Sequence, residues 1–135
     1  MSTHKHLADT AKLGRRERQI MDIIHRRERV SAAEVLEELP DPPTYSAVRG
    51  MLRLLEEKGY VRHEWDGPRH VYLPTAKPAD VRKSAVRHLL RTFFSNSMES
   101  AVAAMLGASE KRPTDDELKR MAKLIENARR GRSRK

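Results

Sequence analysis

Pro43-Thr44-Tyr45-Ser46-Ala47-Val48-Arg49-Gly50-Met51-Leu52-Arg53-Leu54-Leu55-Glu56-Glu57-Lys58-Gly59-Tyr60 runs directly into Val61-Arg62-His63-Glu64-Trp65-Asp66-Gly67-Pro68-Arg69-His70-Val71-Tyr72-Leu73-Pro74. Thr44 suits a helix N-cap, where a side-chain oxygen takes an otherwise orphaned amide. Val48, Met51, Leu52, Leu54 and Leu55 then recur at helical spacing and predict an inward stripe. Tyr45, Ser46, Arg49, Gly50 and Arg53 lie off that stripe. Gly59 predicts a left-handed stop. Val61, Val71 and Tyr72 favour strands over 60–65 and 69–73, and Asp66-Gly67 is a hairpin-turn signal. Trp65 and Tyr72 read as packing residues. A helix followed at once by a short hairpin is the pattern of a recognition helix with a β-wing.

Upstream, Ile20, Ile23 and Ile24 predict a helix over 14–27, and Val30 predicts a brief strand. Ser31-Ala32-Ala33-Glu34 is a capping box that starts a second helix. Pro40, Pro42 and Pro43 end it, because proline cannot donate to the helical ladder. Three helices and a hairpin with short connections give a winged helix-turn-helix over 13–76. Residues 1–12 read as a flexible arm. Its His4 and His6 have no further ligands nearby, so a solvated tail is favoured over a metal site.

From Lys77 the composition changes. Pro78 opens a helix to about Phe94, with Val86, Leu89, Leu90 and Phe93 on its apolar side. Ser95-Asn96-Ser97 breaks it. Val102 and Met105 belong to a second helix. Thr114-Asp115-Asp116-Glu117 caps a third, which carries Leu118 and Leu124. Residues 77–128 contain only two phenylalanines and bury too little to stand alone. Their stripes are expected to pair with a second copy, giving a helical dimerisation domain; packing onto the N-terminal part of the same chain is the alternative. Residues 129–135 form a basic tail.

The chain has 135 residues, no cysteine and a formal charge of +9. Disulfides, thiolate metal sites and cysteine nucleophiles are excluded. No apolar run approaches the roughly 20 residues needed to cross a bilayer, and 1–13 lacks a signal-peptide core. A soluble, cytoplasmic protein without membrane partners is expected. Positive charge favours nucleic acid through phosphate contacts. It is unevenly placed: residues 1–74 carry 13 Lys and Arg against 12 Asp and Glu, and residues 75–135 carry 15 against 7.

A duplex reader needs polar side chains on a helix that enters the major groove, with backbone contacts beside it. Thr44 and Ser46 suit phosphate, and Tyr45 a thymine methyl or a phosphate. Arg49 and Arg53, one turn apart, suit guanine edges. Gly50 costs about 1 kcal/mol in mid-helix relative to alanine; it marks either a close approach or a tolerated cost. Arg69 and His70 near the hairpin tip suit an adjacent phosphate or the minor groove. No glycine-rich phosphate loop and no cluster of histidines with carboxylates is present, so neither an enzyme nor a cofactor is expected. A winged helix serving as a protein-interaction scaffold, with incidental DNA contact, is the alternative.

Leu13-Gly14, Glu17, Ile20-Met21, Glu34-Val35, Leu39, Tyr45-Ser46-Ala47-Val48, Leu52, Leu55-Glu56, Lys58-Gly59, Val61, Arg69 and Val71-Tyr72-Leu73-Pro74 together resemble the penicillinase-repressor family of BlaI, MecI and CopY type, over about 13–126. The resemblance implies a mainly α fold, a winged helix followed by a three-helix dimerisation domain. It implies homodimers that bind palindromic double-stranded operator DNA and repress β-lactamase or stress-response genes. Thr44, Tyr45, Ser46, Arg49 and Arg53 would face the operator. Val86, Leu89, Phe93, Val102, Met105 and Leu124 would lie in the dimer core. A sensor-linked protease is the further partner implied for members released by cleavage at an Asn-Phe bond; the matching place here is Ala104-Met105. The copper-type C-terminal cysteine motif is absent. His25 stands where the family usually has tryptophan.

Overall fold

The computed structural model describes residues 7–133, with the side chain of Ser133 excepted. Between Arg15 and Ser133 six helices and three strands follow one another as α1 (Arg15–Arg27), β1 (Val30–Ser31), α2 (Ala32–Glu38), α3 (Tyr45–Glu57), β2 (Val61–Asp66), β3 (Arg69–Pro74), α4 (Pro78–Phe93), α5 (Met98–Ala108) and α6 (Asp115–Ser133). The chain divides into two compact units, Met1–His88 and Leu89–Lys135, and the division falls inside α4.

The first unit is a winged helix. Its sheet is antiparallel in the order β1-β3-β2. Val30 pairs with Tyr72 and Ser31 with Val71, so the expected brief strand forms. Ile20, Ile24, Val30, Val35, Val48, Leu52 and Leu55 are fully buried in one cluster. Each contributes on the order of 1.5–3 kcal/mol by leaving water.

The helix ends are set locally. The Ser31 hydroxyl accepts from the Glu34 amide at 3.2 Å, and the Glu34 carboxylate accepts from the Ser31 amide at 2.9 Å. That reciprocal pair is the predicted capping box. Thr44 Oγ1 accepts from the Ala47 amide at 3.1 Å and starts α3. Gly59, at φ 90°, ends it. The Tyr60 amide bonds to the Leu55 carbonyl and the Gly59 amide to the Glu56 carbonyl, the two bonds of a Schellman motif.

Four expectations are corrected. Residues 7–12 do not form a free arm: Ala8 is buried and Leu7 packs against the core, with its methyl carbons 3.5–3.6 Å from where a Cβ on Gly59 would stand. His4 and His6 lie outside the described residues. Leu54, expected in the apolar stripe, is 49% exposed. It lies six residues from Val48, about 120° around the helix. The hairpin turn sits one residue later than Asp66-Gly67. Asp66 pairs with Arg69, so Gly67-Pro68 forms the loop, and Gly67 takes the positive φ of 62° that the first position of a type II′ turn requires. Trp65, expected to pack, is exposed.

The second unit, with the part of α4 before it, leaves its apolar side chains open. Among the described residues α4 buries none, and α5 buries only Ala101. Ser95 and Asn96, both at positive φ, break the chain after α4. Ser97 and Thr114 cap α5 and α6 through the Ser100 and Glu117 amides. Helix α6 continues through Arg129, Arg130 and Arg132 of the basic tail.

Candidate nucleic-acid interface

One face of α3 is built to hold and the other to project. Val48, Leu52 and Leu55 anchor it in the core, while Tyr45, Ser46, Arg49 and Arg53 point to solvent. Its approach is fixed from behind. Arg16 on α1 donates to the Pro40 carbonyl at 2.7 Å and to the Asp41 carbonyl at 2.9 Å. These charge-assisted bonds hold the turn between α2 and α3, where Asp41 takes a positive φ of 45°. At the far end of α1, Arg26 and Arg27 both bond Glu38, and Arg27 also bonds Glu34 at 2.9 Å. The Ser31 backbone amide, first, holds the Glu34 carboxyl below its usual range, and the Arg27 hydrogen bond does so for Glu38.

The α3 arginines contrast with these. Arg49 lies with its guanidinium carbon 5.9 Å from the Tyr45 ring centre, a cation–π distance. Neither Arg49 nor Arg53 forms an ion pair among the described residues. Glu56, one of two carboxylates a turn from Arg53, is engaged elsewhere: both its oxygens lie within 2.9 Å of His63 Nδ1 on β2. Gly50 sits between the two arginines, and a Cβ there would meet no atom within 4 Å. The protein's own packing therefore does not require glycine at that position.

The wing carries a ladder of rings. His63 stacks on His70 at 4.2 Å and 18°, and His70 meets Trp65 edge-on at 4.2 Å and 80°. Tyr72 closes the inner end, 6.3 Å from His70. Burial pushes the Tyr72 phenol up, with the Glu56 charge adding to it. Arg69 bonds Asp66 through Nη2 at 3.1 Å and Nε at 3.3 Å. Two shallow grooves lie between α3 and the wing. One is lined by Tyr45, Arg49, Trp65, Arg69 and His70; the other by Ser46, Arg49, Gly50, Arg53, Glu56 and His63. Arg49, His70 and Tyr72 belong to both.

Thus Tyr45, Ser46, Arg49, Gly50, Arg53, Arg69 and His70 converge on one region of the first unit, with Thr44 capping the helix at its edge. The sequence reading passed over Trp65, His63, Glu56 and Arg16 as contributors. Alternation along β2 would have put His63 and Trp65 on one sheet face. Of the residues expected in a dimer core, Val86, Phe93, Met105, Leu118 and Leu124 are exposed in the single chain, and Leu89, Leu90 and Val102 are half-buried. Ala104 and Met105 lie exposed within α5. Among the described residues no cluster of three metal-ligating side chains is present, and no helix is long and apolar enough to cross a membrane.

The penicillinase repressor family model matches residues 13–127. No curated protein sequence matches the chain significantly. Among solved structures, a chain from the hsRosR-S4 complex is 19% identical, with 78% of this chain and 97% of that one covered and a TM-score of 0.55; the two share a fold. An ArsR-like transcriptional regulator from Rhodococcus sp. RHA1 is 22% identical over 80% of this chain and 95% of its own, with a TM-score of 0.44. MepR, a transcription regulator of the Staphylococcus aureus multidrug efflux pump MepA, is 14% identical over 95% and 89%, with a TM-score of 0.45.

Proposed function

Since the chain belongs to the penicillinase repressor family, a family of DNA-binding transcription regulators, we propose that it represses transcription as a homodimer on a palindromic operator. Helix α3 enters the major groove, with Arg49 and Arg53 at base edges and Thr44, Tyr45 and Ser46 at its N-terminal end on phosphate or a thymine methyl. Arg69 and His70 take the neighbouring backbone. Two copies of α3, set roughly 34 Å apart by pairing of the C-terminal helices, read the two half-sites. The protein acts in the cytoplasm, on β-lactamase or stress-response genes.

The observation that carries this reading is that Arg49 and Arg53 are exposed on one face of α3, line the groove toward the wing with Ser46 and Gly50, and form no ion pair among the described residues. Leaving two arginines uncommitted on one helix face suits a polyanion. The near-neutral charge of residues 1–74 favours the scaffold alternative. It sets a low affinity for one copy, which a dimer overcomes by engaging two half-sites together.

A mobility-shift assay on the duplex upstream of the gene, run at two salt concentrations, tests the proposal. Arg49→Ala should weaken the specific band by about 1–3 kcal/mol, the range of one bidentate base contact, and leave nonspecific binding in place. An unchanged band in alanine variants of Thr44, Arg49 and Arg53 would sink it.

A further inference from the structure

Trp65 is the chain's one tryptophan, and it stands 66% exposed near the tip of the wing. Leaving a large apolar ring in water forgoes stabilisation at about 25 cal/mol per Å². The ring is nevertheless held in place. His70, its direct cross-strand partner, meets it edge-on at 4.2 Å. His70 is stacked in turn on His63, which Glu56 of α3 holds. A chain of contacts therefore runs from the recognition helix to the indole.

Two further features say what would cover it. Trp65 lines the same groove as Tyr45 and Arg49, so its surface is continuous with the α3 face turned to DNA. The carboxylates beside it are also matched. Asp66 faces Arg69 at 3.1 Å and Arg29 at 3.9 Å, and Glu64 faces Arg62 at 2.7 Å. The Arg62 hydrogen bond holds the Glu64 carboxyl below its usual range. The wing tip thus presents an apolar ring among neutralised acids, which a polyanion can approach.

We infer that Trp65 is a DNA-contact residue. Its ring lies on the sugar–phosphate wall of the minor groove beside the half-site that α3 reads, and its indole N–H donates to a phosphate or sugar oxygen. An indole suits that position because it joins a flat apolar face, matched to deoxyribose, with a single donor. Backbone contacts of this kind fix register and carry no sequence information. The loss on removing the ring is therefore the same on any duplex. This inference rests on the reading of α3 as the DNA-facing helix.

The single tryptophan supplies its own probe. The full-length protein is titrated with the duplex from upstream of its gene, at low salt. Anisotropy of a fluorescein-labelled copy reports binding, and acrylamide quenching of tryptophan emission, with the unlabelled duplex, reports the environment of Trp65. Saturating duplex should lower the quenching constant at least about twofold. Trp65→Ala should weaken binding about tenfold, on this duplex and on an unrelated one of equal length, with an unchanged thermal midpoint. Trp65→Phe should recover part of the loss. Saturated anisotropy with unchanged quenching, or unchanged affinity in Trp65→Ala, overturns the inference alone and leaves the wing tip open to a protein partner. No anisotropy change in the wild type overturns the α3 reading, and the inference falls with it.

Discussion

Glu56 and His63 join α3 to the wing: His63 Nδ1 lies 2.7 Å from one Glu56 oxygen and 2.9 Å from the other. The pair does two things at once. It fixes β2 against the last turn of α3, and it engages one of the two carboxylates that lie a helical turn from Arg53. Glu56→Gln keeps an acceptor for His63 and removes one negative charge from the groove that Arg49 and Arg53 line, the proposed DNA-facing side. DNA affinity at low salt should rise about threefold, as expected for removing one repulsive charge at several ångströms in a mostly aqueous setting. Stability should change by less than about 1 kcal/mol, because both partners are about one-third exposed. Anisotropy titrations at two salt concentrations with parallel thermal melts check this. Unchanged affinity at both salts would place Glu56 outside the field of the bound duplex.

His25 makes stability depend on pH. Its Nε2 is buried without a hydrogen-bond partner among the described residues. Burial pushes the imidazole pKa down, against the attraction of Asp22. A group whose folded pKa lies below its unfolded value takes up a proton more readily when the chain unfolds. Its neutral form is therefore fully compatible with folding above the ordinary value of 6.5, and stability falls as pH drops through that value toward the folded pKa. The lowered carboxyls of Glu34 and Glu38 add a second decline, beginning below their ordinary value of 4.5. Urea midpoints between pH 8 and pH 5 should decrease in the wild type and stay flatter in His25→Leu. Parallel pH slopes in the two proteins would show that another group titrates.

Phe93 is 70% and Leu124 68% exposed in the single chain, the exposure expected of side chains that a second copy covers. Phe93→Asp and Leu124→Asp each place a charge where the proposed dimer core lies. Sedimentation should show the wild type as a dimer at micromolar concentration and both variants shifted to monomer. Operator affinity should then fall by about 10²-fold or more, because the second half-site no longer binds intramolecularly. A monomeric wild type would refute the dimer outright.

The features legible in the sequence were those set by neighbours in the chain. The Ser31–Glu34 box spans four residues, and the Gly59 stop depends on a left-handed φ that glycine adopts freely. The misses have a common physical origin. Leu54 looked apolar enough to pack, but its angle around α3 turns it away from the core. Trp65 lies on the sheet face that begins with buried Val61, yet its end of the strand projects past what α3 covers. How far a strand outreaches its helix is a tertiary fact. Arg16 with the Asp41 carbonyl, and Glu56 with His63, join separate elements that no local pattern couples. The face of α3 was legible because a helix buried on one side leaves its other side to solvent, and the sequence had already assigned Arg49 and Arg53 to that side.

Gly50 separates two roles that a mid-helix glycine can have. A Cβ at this position meets nothing within 4 Å, so Gly50→Ala fits the free protein without a clash. Alanine also removes the backbone freedom that glycine loses on folding, and α3 should gain about 0.5–1 kcal/mol. If glycine served only as a tolerated cost, DNA binding would be unchanged or slightly improved. The position instead lies between Arg49 and Arg53 in the groove that faces the wing, where the proposed duplex comes closest to the α3 backbone. The expected result is therefore a higher thermal midpoint together with an operator affinity lowered about fivefold, the equivalent of roughly 1 kcal/mol. Opposite signs in the two measurements cannot arise from a folding defect. A stabilised variant that binds as tightly as the wild type would mean that the duplex does not approach α3 at Gly50, and the docking of the helix would have to be rotated toward Tyr45 and Ser46.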